Sequence, residues 1–161
     1  MAQVAEACGI SKANIYHYYG SKDALLFDIL DSYLSTLRDR LAGLDMGGIA
    51  PADQLLLFVT EVLLAYEGMD AEHQIQTEGI AVLNFERQEI LRNYQRDMVR
   101  QLSGILSASA PAHLVSDKAR LNATTMSVFG MLNWFYMWNG GAGRTERERY
   151  AKHVRELVLG E

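Results

Sequence analysis

Cysteine, proline and long apolar runs are scarce in this sequence. The single thiol, Cys8, cannot close a disulfide within the chain, and no Cys or His stands near it at the spacing of a zinc site, so we expect a reducing, cytoplasmic setting. The longest apolar stretches, such as residues 55–59, are much shorter than the roughly 18 residues that a membrane span needs. The first six residues also lack the basic and apolar regions of a signal peptide. The sequence therefore predicts neither export nor a membrane association.

Positive charge is also in deficit. The chain of 161 residues carries 15 Lys and Arg against 20 Asp and Glu, which gives a formal net charge of −5. A molecule with this balance does not attract polyanions over its whole surface, so any nucleic-acid site must be local. Apolar residues make up 49% and charged residues 22%, which is ordinary for a folded globular protein with its own core.

Strand-like alternation is missing, whereas apolar residues recur every three or four positions along almost the whole chain. This spacing predicts an all-α fold, with Pro51 and Pro111 in the connections between helices. The first three predicted helices cover residues 1–7, a short segment that is capped by Ser11 and ends near residue 18, and a long segment between residues 21 and 46. The next four cover residues 55–67, 73–83, 86–107 and 117–138, and Ser116 caps the last of these four. A final helix begins with a capping box of Thr145 and Glu148.

Three glycines fall inside predicted helices, where each costs about 1 kcal/mol relative to alanine. They are Gly79, Gly104 and Gly130. We expect a packing reason for each, and at Gly130 the close approach of a partner helix or a ligand.

Residues 4–22 are the most informative segment. A short helix is broken at Gly9, and Ser11 then caps a second short helix, which gives a helix, a tight turn and a helix. The second helix carries polar and aromatic side chains of a size suited to a DNA major groove, and Lys22 would meet a phosphate. A generic helical hairpin is the alternative, and Ile15 and Tyr19 would be core residues in either case.

The same segment closely resembles the tetracycline-repressor (TetR) family, because nearly every position of that family's helix-turn-helix pattern is filled from Val4 through Leu25. The resemblance implies base-edge contacts by Ala13, Asn14 and His17. It implies DNA-backbone contacts by Ser11, Lys12, Tyr16, Tyr18 and Lys22.

The resemblance also implies a division of the chain. Residues 1–22 correspond to a helix-turn-helix DNA-binding part without the family's first helix, and residues 23–161 to an antiparallel helical effector-binding and dimerisation domain. Two interpretations follow. The chain is a dimeric repressor that binds a palindromic DNA operator and is released by a small hydrophobic effector, or it is an effector-binding dimer that has lost DNA binding with its first helix.

Residues 133–148 resemble regulators of fatty-acid, steroid or phenylacetate breakdown, many of which sense acyl-CoA thioesters. We therefore expect an acyl- or aryl-CoA effector in an apolar cavity, and a homodimer seam formed by residues 117–139 and 145–159. The candidate effector contacts are Leu63, Tyr66, His73, Thr77, Arg92, Arg96, Met98, Phe129, Asn133 and Trp134.

Each of these groups has a structural alternative. The aromatic stripe around Trp134 suits a buried helix and a dimer seam. Arg92, Arg96 and Arg100 form one helical face, which could clamp CoA phosphates or could be a solvated charged face. Four polar residues could be ligand contacts inside an apolar cavity or polar groups satisfied at helix termini: His73, Gln76, Thr77 and Asn84.

Enzymatic motifs are absent from the sequence. It contains no Glu-x-x-His or His-Glu-x-x-His pair, and the glycine run at 140–143 follows no predicted strand. We therefore expect neither an enzyme nor a cofactor or metal ion. A small helical hydrolase or lyase that uses His73 and Glu78 is a remote alternative.

Overall fold

The computed structural model describes Gly9 and residues 11–160, and this part of the chain contains helices and no strand. The helices are α1 (Lys12–Tyr18), α2 (Lys22–Ala42), α3 (Pro51–Ala65), α4 (Asp70–Val82), α5 (Phe85–Ser109), α6 (Ala112–Val115), α7 (Lys118–Trp138) and α8 (Arg144–Leu159). The predicted all-α fold is confirmed. The helix predicted over residues 1–7 lies outside the described residues.

Local capping signals set most of the helix starts. Ser11 caps α1 as predicted, with its Oγ accepting from the Asn14 backbone N–H at 3.1 Å. The predicted cap at Ser116 is wrong, because Asp117 accepts from the Arg120 N–H and carries that role for α7. The predicted capping box at Thr145 is also wrong, since α8 already begins at Arg144 after an uncapped glycine.

Helix α3 is the centre of the core. Five of its side chains are fully buried, and the helix packs against α2, α5 and α8, because its sequence is apolar on nearly every side. The five are Leu55, Phe58, Val59, Val62 and Leu63. Burying an aliphatic or aromatic side chain contributes about 1.5–3 kcal/mol, so this helix holds the bundle together.

A close contact between α2 and α4 explains one of the three helical glycines. A Cβ at Gly79 would lie 3.3 Å from side-chain atoms of Leu26 and Leu30, so a larger residue would force these helices apart. At Gly104 and Gly130, by contrast, a Cβ would meet nothing within 4 Å among the described residues. The packing reason expected for those two positions is therefore absent within one chain.

Arg147 joins the start of α8 to the end of α3. Its Nη1 donates to the Leu63 carbonyl and its Nε to the Ala142 carbonyl, both at 2.9 Å, and its guanidinium lies 5.5 Å from the centre of the Phe135 ring. The side chain is almost fully buried. A cation is favourable there because the last carbonyls of α3 carry the negative end of the helix dipole.

None of the helices in the described part of the chain is both long enough and apolar enough to cross a membrane.

Candidate functional site

Helix α1 presents an exposed polar face. Ala13, Asn14, His17 and Tyr18 are exposed, and Tyr18 has 79% of its surface accessible. Ile15 points the other way and is buried as predicted, whereas the core position predicted for Tyr19 is wrong, because its side chain is only partly buried. Because residues three and four apart share one side of a helix, Asn14, His17 and Tyr18 can meet one surface together.

The turn after α1 is held by short contacts that fix the start of α2. Tyr19 donates its hydroxyl hydrogen to Asp28 at 2.9 Å, and this carboxylate raises the pKa of Tyr19. Ser21 caps α2 by accepting from the Ala24 N–H at 3.1 Å. Lys22 is therefore held at the first position of α2, exposed and close in sequence to α1.

Of the DNA-contact residues expected from the sequence, Ser11, Ala13, Asn14, Tyr16, His17, Tyr18 and Lys22 all have exposed side chains around α1 and the start of α2. The backbone of Lys12 belongs to α1, but its side chain lies outside the described part. The structure thus places these candidates together at one end of the molecule.

A buried polar cluster joins four elements farther along the chain. His73 on α4 lies 3.0 Å from the Tyr33 hydroxyl on α2 through Nδ1, and 3.0 Å from the Asn133 backbone carbonyl on α7 through Nε2. Tyr66, at the end of α3, donates to the Asn133 side-chain Oδ1 at 2.9 Å. We call Tyr33, Tyr66, His73 and Asn133 the polar junction.

The partners of His73 determine its protonation. A carbonyl oxygen can only accept, so Nε2 carries the hydrogen that is donated to Asn133, and Nδ1 accepts from the Tyr33 hydroxyl. Burial lowers the pKa of His73, which favours this neutral form. Burial likewise raises the pKa of Tyr33 and Tyr66, so the junction is an uncharged hydrogen-bond network.

Next to the junction lies a cavity of about 190 Å³, the inner cavity. Its lining comes from α2, α4, α5, α7 and the end of α3, and consists of Leu34, Leu37, Tyr66, Gln76, Gln95, Met98, Val99, Met126, Phe129 and Asn133. Four of the effector contacts expected from the sequence meet here: Tyr66, Met98, Phe129 and Asn133. An apolar cavity with a few convergent polar groups is the usual form of a small-molecule site.

Gln76 stands out in this lining. Its Oε1 is buried and has no hydrogen-bond partner among the described residues. Leaving a buried acceptor unpaired costs about 1–3 kcal/mol, so such an atom in a cavity wall marks a position where a ligand can donate a hydrogen bond.

A second concavity of about 520 Å³, the outer groove, runs between α4 and α7. It is lined by His73, Gln74, Gln76, Glu78, Gly130, Asn133, Trp134, Tyr136 and Met137. Trp134 lies here with 62% of its surface exposed. Gln76 and Asn133 line both spaces, so the groove and the inner cavity are neighbours separated by two amide side chains.

The structure does not bring the other effector candidates to these spaces. Leu63 is fully buried in the core and lines neither of them. Arg92 and Arg96 lie on an outer face of α5, where Arg96 pairs with Glu89 at 2.8 Å and Arg92 approaches it at 3.9 Å. Thr77 belongs to α4, but its side chain is outside the described residues.

The geometry also bears on the enzyme alternative. Both ring nitrogens of His73 are engaged by Tyr33 and Asn133, so neither is aimed at a substrate as a base. Glu78 shares the groove but is exposed. Within the described residues, no group of His, Cys, Asp and Glu is placed to hold a metal ion.

Sequence reasoning named Gln76 as a possible polar contact but missed Tyr33 and Gln95 as site residues. Tyr33 fits the apolar stripe of α2, and that spacing indicates a core residue. Gln95 carries no local signal, because an isolated Gln on a helix is usually solvated. Only the packing of α2, α4, α5 and α7 around one space identifies them.

Two family models match the chain. Residues 1–29 match the bacterial regulatory proteins of the tetR family, and residues 48–161 match the tetracyclin repressor-like C-terminal domain. The second match alone covers more than half of the chain. The protein therefore belongs to the TetR family of bacterial regulators.

Solved structures share the fold. A TetR-family transcriptional regulator from Bordetella parapertussis 12822 has a TM-score of 0.87 at 26% identity, over 98% of this chain and 82% of that one. The TetR-family regulator PfmR from Thermus thermophilus has a TM-score of 0.82 at 23% identity, over 99% of this chain and 86% of that one. AibR, solved in complex with isovaleryl coenzyme A and operator DNA, has a TM-score of 0.76 at 22% identity, over 98% and 85%. No protein of curated function matches the sequence.

Proposed function

We propose that this TetR-family protein is a dimeric repressor that binds a palindromic operator through α1 and is released when a small hydrophobic effector fills the inner cavity. Residues 1–22 would serve DNA recognition, and residues 23–161 effector binding and dimerisation. The proposal rests on the position of α2. This helix begins directly after the turn that follows the exposed face of α1, and it also lines the apolar inner cavity.

The DNA-binding part of the proposal rests on α1. Asn14 and His17 offer donors and acceptors on one exposed face, which suits the edges of bases in a major groove. Lys22, at the start of α2, is placed to meet a phosphate, which adds affinity without reading sequence. Residues 1–29, which include α1, match the model of the bacterial regulatory proteins of the tetR family.

The effector part rests on the inner cavity. Its apolar lining favours a hydrocarbon group, with about 0.8 kcal/mol for each buried methylene. An acyl- or aryl-CoA is the candidate that we favour, because the structurally similar AibR was solved with isovaleryl coenzyme A. In this arrangement the acyl or aryl group occupies the inner cavity and the pantetheine arm extends along the outer groove.

The polar junction offers a physical link between the two parts. Leu34 and Leu37 line the cavity from α2, and Tyr33 on the same helix bonds to His73. A ligand that displaces α2 would carry Lys22 and the turn after α1 with it, because these lie at the start of the same helix. Such a ligand shifts the equilibrium only as far as its affinities for the two conformations differ.

Selection from a randomised DNA library tests the DNA-binding function. The full chain should enrich a palindromic site, and binding measured by fluorescence anisotropy should weaken steeply with added salt. A preparation that enriches no site, and binds every duplex with equal and weak affinity, would favour the effector-binding dimer without DNA binding.

A further inference from the structure

We propose that the inner cavity selects a compact, uncharged group of about the size of a benzene ring, linked to a hydrogen-bond donor that meets Oε1 of Gln76. The effector would then enter by a neutral end with an N–H or O–H group near the ring, such as the amide N–H that follows the thioester in a pantetheine arm, and not as a free carboxylate. This inference rests on the proposed function, since it assigns the ligand class of the same cavity.

The volume of the inner cavity limits the size of the group. At about 190 Å³ it lies below the roughly 300–1,000 Å³ of ordinary ligand sites. Cavities of about 150 Å³ with aliphatic and aromatic walls bind benzene. One aromatic ring or a short branched acyl group therefore fits within this volume, whereas two fused rings exceed it.

The charge of the lining argues against an anion. The ten described lining side chains include no Lys, Arg, His, Asp or Glu. A carboxylate that entered this space would lose its hydration without gaining a cationic partner, which is strongly unfavourable. Among the described residues that line the adjoining outer groove, Glu78 is the one carboxylate and none is a Lys or Arg, so the groove offers an anion no cationic partner either.

The unpaired acceptor of Gln76 supplies the polar requirement. Gln76 lines both the inner cavity and the outer groove, so a donor at the junction of the two spaces can reach it. A ligand that offers only acceptors leaves Oε1 unpaired. Hydrogen bonding thereby selects among neutral ligands of one size.

Calorimetric titration of the full chain at pH 7.5 with four ligands tests the inference. Phenylacetamide is neutral and has a donor, methyl phenylacetate is neutral without one, phenylacetate is the anion, and 2-(1-naphthyl)acetamide is larger. Phenylacetamide should bind most tightly, methyl phenylacetate about tenfold more weakly, and the other two at least about a hundredfold more weakly.

Matched variants locate the donor contact. Gln76→Met keeps the size of the side chain and should lower the affinity for phenylacetamide about tenfold, while the affinity for methyl phenylacetate stays unchanged. Ala71→Met, at an exposed position on the same helix that lines neither the inner cavity nor the outer groove, should change neither affinity. Unaltered thermal unfolding of both variants would confirm that they fold, and Gln76→Asn, which retains an amide acceptor, should recover part of the lost affinity.

The outcomes separate this inference from the proposed function. Phenylacetate or the naphthyl compound binding as tightly as phenylacetamide would overturn the inference and leave an effector cavity in place. Equal loss for both neutral ligands in Gln76→Met would overturn the donor contact. If none of the four ligands bound while acyl-CoA thioesters still released the operator, the inference would fail and the proposed function would stand. Failure of every ligand and thioester would reject both.

Discussion

His73 is a buried titratable side chain whose two ring nitrogens are both committed. It has 3% of its surface exposed, and it lies against Tyr66 with ring centres 4.5 Å apart. Protonation would put a hydrogen on Nδ1, which now accepts from Tyr33, and would place a charge where burial disfavours it. The native packing of α2, α4 and α7 therefore requires that the polar junction is uncharged.

The pH dependence of stability tests this state. Because the pKa of His73 is lower in the folded than in the unfolded protein, the unfolded chain binds the proton more readily below the ordinary value of about 6.5. The unfolding free energy should thus be highest above that value and fall as the pH drops through it towards the folded pKa, by at most about 1.4 kcal/mol per pH unit from this group. Urea unfolding at several pH values measures it.

His73→Gln should flatten that dependence, although it lowers stability at neutral pH. His113→Gln, at an exposed position, serves as the control and should keep the wild-type slope. An identical slope in His73→Gln and the wild-type protein would mean that the acid sensitivity comes from other groups.

Individual residues were predictable only where their signal is local. The place of Ser11 before a polar helix indicates its cap, and the structure agrees. The wall of the inner cavity is different, since Leu34 and Met126 are far apart in sequence and meet only when α2 and α7 pack. Periodicity identifies the buried face of a helix, but it does not distinguish a residue that fills the core from one that borders a cavity.

At the scale of elements, α1 is the part of the molecule to which we assign sequence recognition. Asn14→Ala and His17→Ala should relax base preference at particular operator positions, by about 1–3 kcal/mol of discrimination, since these side chains stand on the exposed face. Lys22→Ala should weaken binding to all DNA sequences alike and reduce the salt dependence of that binding. Competition anisotropy with operators altered one base pair at a time gives these values.

A change of base preference in Lys22→Ala at a single position would reverse the assigned roles. Asp39→Ala, on the exposed side of α2 and well along the helix from α1, is a suitable control and should leave both affinity and specificity unaltered.

A buried arginine adds side-chain hydrogen bonds to the packing of α8 against α3. Arg147→Met would leave the Leu63 and Ala142 carbonyls without their donor, and hydrogen bonds from charged groups contribute about 1.5–3 kcal/mol each. We expect the unfolding free energy to fall by about 2–4 kcal/mol in urea denaturation. Arg149→Met, exposed two residues later, should stay within about 0.5 kcal/mol of the wild type.

Helix existence and order could be predicted well from the sequence, whereas helix ends could not. The short helix α6 was missed because its four residues are too few to show a period. Helix α3 begins at Pro51, as expected for a proline in the first turn, where its missing N–H leaves no bond unmade, but it ends at Ala65 rather than at residue 67. Arg147 was also missed, because an arginine in a charged helix looks solvated until its carbonyl partners are known.

At the scale of the whole molecule, α7 and α8 leave large apolar side chains uncovered. Two of them, Trp138 and Leu157, line neither the inner cavity nor the outer groove, and each is more than half exposed. An apolar surface of this kind on a globular chain is typical of an association site, and a two-fold dimer covers the same patch on both subunits. We therefore expect a homodimer through α7 and α8.

Light scattering at micromolar concentration should give twice the mass of the chain. Leu157→Glu should shift the equilibrium toward monomer, because it places a charge in the seam, while Val82→Glu, at an equally exposed apolar position at the end of α4, should remain dimeric. A monomer mass for the wild-type protein would contradict the proposed seam.

Filling the inner cavity should weaken operator binding, and a single titration measures this coupling. The affinity of the dimer for its selected operator is measured by fluorescence anisotropy with and without saturating phenylacetyl-CoA, and with free coenzyme A as the control. A ligand that favours the non-binding conformation should weaken operator binding at least about fivefold, the lower end of ordinary allosteric coupling. Free coenzyme A should have no effect. If operator affinity stays the same while calorimetry shows that the thioester is bound, effector binding is not coupled to operator binding and the proposed release mechanism is wrong.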